Sequence, residues 1–65
     1  MPLKAVYVNF QGDLYEIIAD IFGEIHKVFV YRDNCNSIAE QLDEETLPKE
    51  VFEEFQNKIT KWYNI

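Results

Sequence analysis

Two glycine pairs, Gly12-Asp13 and Gly23-Glu24, frame the stretch from Leu14 to Phe22, and in a chain of 65 residues its choice between strand and helix decides the architecture. As a strand, the stretch is bounded by two sites suited to two-residue hairpin turns with Gly first. Such turns oppose Phe10 to Tyr15, Val8 to Ile17 and Val6 to Ala19, then Val28 to Ala19 and Val30 to Ile17. Opposed residues share a face, so two independent turns generate one apolar face. The same register sets Asp20 beside Lys27 as an attractive cross-strand pair.

As a helix, the stretch is also self-consistent. Leu14, Ile17, Ile18, Ile21, Phe22 and Ile25 recur at helical spacing, with Glu16, Asp20 and Glu24 on the other side. Asp13 and Glu16 could form a capping box and Gly23 a terminator. Ile, Tyr and Phe favour the strand, whereas Glu, Asp and Ala favour the helix.

The flanking segments narrow the choice less than they constrain the whole. Leu3 to Phe10 alternates, with Val6, Val8 and Phe10 on one face and Ala5, Tyr7 and Asn9 on the other. His26 to Tyr31 is rich in β-branched and aromatic residues and reads as extended. Asp33-Asn34-Cys35-Asn36 reads as a turn. Ser37 with Glu40 then marks the start of a short helix that places Ile38 and Leu42 on one side. Pro48 suits a first helical turn. From there to about Tyr63, Val51, Phe52, Phe55, Ile59, Trp62 and Tyr63 fall on a stripe about 120° wide. Glu50, Glu53 and Glu54 near its start and Lys58 and Lys61 near its end complement the helix dipole.

The expected fold is therefore one small α+β domain over residues 1–65. It consists of a three-stranded antiparallel meander, a short helix and a long C-terminal helix against the sheet. The alternative is a βαβ unit with Leu14 to Phe22 helical, followed by helices.

Composition restricts function more than it defines it. The net charge of -6 argues against direct contact with nucleic acid or anionic membrane, both of which require clustered Lys and Arg. Apolar runs fall far short of the roughly 18 residues of a bilayer span, and no basic-then-apolar leader is legible, so cytoplasmic residence is the expectation. Cys35 is the single cysteine, which leaves no intrachain disulfide.

Catalysis is not expected, because nucleophile motifs, paired metal-spaced histidines and glycine-rich phosphate loops are missing. His26 and Cys35 lack an orienting third group. Asp33, Cys35, Ser37 and Glu44 match positions 1, 3, 5 and 12 of a calcium loop, but Ile38 stands where glycine is required. Neither metal nor cofactor is expected.

The distribution of charge is the distinctive feature. Glu40, Asp43, Glu44, Glu45, Glu50, Glu53 and Glu54 are seven of the twelve carboxylates, against Lys49 alone, so residues 40–54 carry a net of -6 and the remainder is neutral. Such a one-sided field suits a basic partner. The leading expectation is a non-enzymatic protein-interaction module whose acidic segment docks on a basic, nucleic-acid-binding protein surface as a carboxylate mimic of phosphates. By analogy of class alone, small acidic domains of this kind include phage-type inhibitors of nucleic-acid enzymes. The ordinary explanation of the same carboxylates is a solvated helix junction kept soluble by charge.

A second surface follows from the meander: Tyr7, Ile18 and Phe29 line up on the face away from the valines, and Tyr31 and Leu14 extend the row. If no helix covers this row, it is an aromatic contact patch, and the protein is a structural or regulatory subunit such as a homodimer or an antitoxin-like partner.

Overall fold

The computed structural model describes residues 3–33 and 38–63. The chain runs β1 (Leu3–Phe10), β2 (Asp13–Asp20), β3 (Ile25–Tyr31) and β4 (Glu40–Leu42), then a 3₁₀ turn at Glu44–Thr46, then α1 (Lys49–Tyr63). The strands form one antiparallel sheet in the order β1-β2-β3-β4. Leu14 to Phe22 thus contributes a strand, and the βαβ alternative is excluded.

The expected three strands and short helix give way to four strands and a single α-helix among the described residues. Glu40-Gln41-Leu42 pairs with β3, setting Leu42 opposite Val28. The helical pattern of Ile38 and Leu42 was misleading because only Leu42 packs on the core, whereas Ile38 is 92 % exposed. Glu40, expected to close a capping box, instead lies 3.7 Å from Arg32. Cys35 and the proposed cap Ser37 lie outside the described residues.

The register differs from expectation by two residues, and the turns explain why. The first hairpin turns at Gln11-Gly12, with φ of 51° and 82°, so glycine comes second and Phe10 faces Asp13. Two consecutive positive φ values match the strand twist, the geometry of a type I′ turn. The second hairpin uses a three-residue loop, Ile21-Phe22-Gly23, closed by Gly23 N–H to Asp20 O at 3.0 Å and Asp20 N–H to Glu24 O at 3.1 Å. Gly23 takes the positive φ of 82° that such a loop requires.

A shift of two leaves each side chain on its original face, because the strand period is two. Val6, Val8, Tyr15, Ile17, Ala19, Val28 and Val30 therefore form one buried face. Val51, Phe55 and Ile59 close it from α1 at i, i+4 and i+8. Phe10, Ile25, Leu42, Leu47 and Phe52 pack around this core, with the Phe52 and Phe55 ring centroids 6.2 Å apart. The side chains of Trp62 and Tyr63, expected on the same stripe, lie outside the described set.

Pro48 accepts the first helical hydrogen bond from Phe52 N–H at 3.1 Å. Near the other end Lys58 Nζ donates to Tyr7 O at 2.6 Å, tying α1 to the outer edge of β1. A lysine there also blunts an edge that would otherwise invite further strands. Among the described residues no helix is long and apolar enough to cross a membrane.

Candidate interaction surfaces

The seven carboxylates of residues 40–54 are all exposed. Glu40 opens β4, Asp43 precedes the 3₁₀ turn, Glu44 and Glu45 lie within it, and Glu50, Glu53 and Glu54 stand on the first two turns of α1. The Asp43 carbonyl accepts from Thr46 N–H at 3.0 Å and from Thr46 Oγ1 at 2.7 Å, so the turn is closed by its own backbone and leaves its acids in water. Two of the seven meet a base: Glu40 faces Arg32, and Glu53 lies 3.9 Å from Lys49. At such exposure, with water screening both charges, neither pair anchors its carboxylate strongly. Lys58 and Lys61, with Ala5, Val6 and Tyr7, line an open groove between β1 and the C-terminal half of α1. The helix thus carries acids at its start and bases at its end.

The sheet face away from α1 has no α-helix across it among the described residues. Tyr7 is 48 % exposed there, and Leu14, Ile18, Phe29 and Tyr31 are half-buried. The expected row of Tyr7, Ile18 and Phe29 is corrected by the two-residue shift. Tyr7 and Phe29 both face Glu16, whereas Ile18 faces Ala5 and Lys27. Glu16 Oε2 accepts from Tyr7 Oη at 2.8 Å and Glu16 Oε1 from Tyr31 Oη at 3.0 Å. Two hydroxyls thus fix one carboxylate between them. Residue pattern did not single out Glu16 as a site, although its place between Leu14 and Ile18 on one face of a strand marks it as an acid within an apolar row.

A third cluster sits at the β2–β3 end. Asp20 is 3 % exposed, its Oδ1 accepts from Phe22 N–H at 2.9 Å and Glu24 N–H at 3.1 Å, and its Oδ2 lies 2.9 Å from His26 Nε2. The expected partner Lys27 faces Ile18 instead. The sheet slips by one residue here, since Ala19 faces Ile25 and Ile18 faces Lys27, and the slip re-aims His26 toward Asp20. Asp20, Glu24 and His26 bring one ligand-capable atom each within 4.8 Å of one another. Asp20 Oδ1 is engaged by two amides of the loop and Oδ2 by His26 of β3, so the carboxylate ties the loop to the following strand.

Compared with protein-family models, curated proteins and solved structures, the chain matches none.

Proposed function

We propose that this protein is a non-enzymatic interaction module that docks on a basic protein surface through the carboxylates of residues 40–54. The reading is supported by one observation above others: seven acids are exposed along a continuous path from β4 through the 3₁₀ turn onto α1. Their repulsion is relieved when cations of a partner approach, and a one-sided field accelerates encounter. A surface that binds nucleic acid is the natural target, because carboxylates can replace phosphates there.

The test is the salt dependence of a complex captured with the intact protein, combined with Glu45→Lys, Glu53→Lys and Glu54→Lys in one variant. Affinity should fall steeply as ionic strength rises, and the variant should associate far more slowly. Binding that ignores both changes would defeat the proposal. It would favour a second reading, a small regulatory or homodimeric subunit bound through the sheet face of Tyr7, Ile18, Phe29 and Tyr31, supported by the lack of an α-helix over that face among the described residues.

A further inference from the structure

We infer that Glu16, flanked by Tyr7, Phe29 and Tyr31, is the seat for one cationic side chain of a protein partner, arginine in preference to lysine. Glu16 lies in β2, an inner strand, on the face opposite α1, with Tyr7 directly across on one neighbour and Phe29 across on the other. Its carboxylate is half-buried and held by the two tyrosine hydroxyls, yet among the described residues it has no ion-pair partner. Lys27 shares the face but pairs in register with Ile18 and makes no ion pair with Glu16.

An ionised carboxylate offers about four acceptor positions, and the hydroxyls occupy two. A guanidinium supplies planar donors for the rest and stacks on aromatic rings, which a lysine ammonium does less well. The tyrosines hold the carboxylate in place before any ligand arrives, so little ordering remains to be done on binding.

Charge selects this occupant over a second copy of the chain. An isologous two-fold contact centred on this face would bring Glu16 against Glu16 of the copy, and each chain carries a net -6. A cation removes that conflict. The inference shares with the proposed function the premise of a basic partner. β4, where the acidic segment begins, is two strand spacings, about 10 Å, from β2, but Glu40 pairs in register with Val30 on the face that α1 covers, so the seat at Glu16 is a contact separate from the acidic segment.

The experiment uses the intact protein and N-acetyl-arginine amide as probe, followed by side-chain NMR. Signals of Glu16, Tyr7, Phe29 and Tyr31 should shift together and saturate in the millimolar range, with the lysine analogue weaker. Glu16→Gln, which keeps shape and an acceptor oxygen, should weaken the probe about tenfold or more. Tyr7→Ala, at a half-exposed position, provides a second variant expected to weaken it while folding is retained. Shifts that survive both substitutions, or that spread evenly over Glu44, Glu45, Glu50, Glu53 and Glu54, would overturn the seat. So would a concentration-dependent dimer that broadens the same face. The reversal of Glu45, Glu53 and Glu54 should leave probe binding at Glu16 unchanged, which separates failure of the seat from failure of the acidic docking surface.

Discussion

His26 Nε2 stands 2.9 Å from Oδ2 of Asp20, a buried carboxylate whose other oxygen accepts the amides of Phe22 and Glu24. One side chain therefore organises the whole β2–β3 loop, joining its amides to a residue of the following strand. The His26 hydrogen bond lowers the Asp20 carboxyl below its ordinary value of 3.8, burial pulls the other way, and the two amides lower it further.

A group whose folded value is depressed binds fewer protons in the native than in the unfolded state. Its contribution is fully present above the ordinary 3.8 and is lost as pH falls through the lower folded value. Melting temperature should thus decline in that acid window, and Asp20→Asn, which imitates the protonated form, should decline less there. Parallel curves for the two proteins would show that Asp20 does not carry the acid response.

Phe55 is among the largest fully buried side chains, at the centre of the α1 contact with the valine face. Phe55→Ala should cost about 3–5 kcal/mol in denaturant unfolding. Phe22→Ala, at a position 76 % exposed, should stay within about 0.5 kcal/mol. Similar losses at the two positions would mean that α1 does not close the core.

Gly12 occupies φ 82° with nothing within 4 Å of where a Cβ would stand, so substitution there meets backbone strain alone. Gly12→Ala should destabilise by about 1–2 kcal/mol. Gln11→Asn, which suits the neighbouring φ of 51°, should leave stability unchanged or raise it. Equilibrium unfolding of both variants checks the turn, and an unaffected Gly12→Ala would refute its assigned geometry.

Reversing Glu45, Glu53 and Glu54 to lysine should alter folding stability by no more than about 1 kcal/mol, because all three are exposed and only the weak Lys49–Glu53 pair is lost. Circular dichroism melts at low and high salt would measure this. Collapse of the fold would indicate that the acids have a structural role.

Much of the architecture is legible in local pattern. Alternation in β1 and β3 and the 51-55-59 spacing in α1 reveal which side chains face inward, since periods of two and 3.6 are local properties of the backbone. The register is less legible: Gly12-Asp13 and Gln11-Gly12 are both acceptable turns, and they differ by two residues without moving any side chain to the other face. That difference nevertheless replaces Ile18 with Glu16 between Tyr7 and Phe29, changing an apolar row into a carboxylate held by tyrosines.

Residue types alone settled the separation of charge, because seven carboxylates within residues 40–54 outnumber one lysine whatever the fold. They also indicated the faces of β1 and β3 through alternation, whereas the stretch that became β2 suited a helix as well. Tertiary structure decided the rest. Glu40-Gln41-Leu42 is a strand because β3 offers it an edge and Val28 offers Leu42 a neighbour, outweighing a local pattern that suited a helix. Asp20 selects His26 over Lys27 because a one-residue slip in the sheet turns the imidazole toward it. Both outcomes depend on contacts between segments distant along the chain or on loop geometry, and a helix or turn signal of a few residues contains no information about which neighbour the folded sheet will supply.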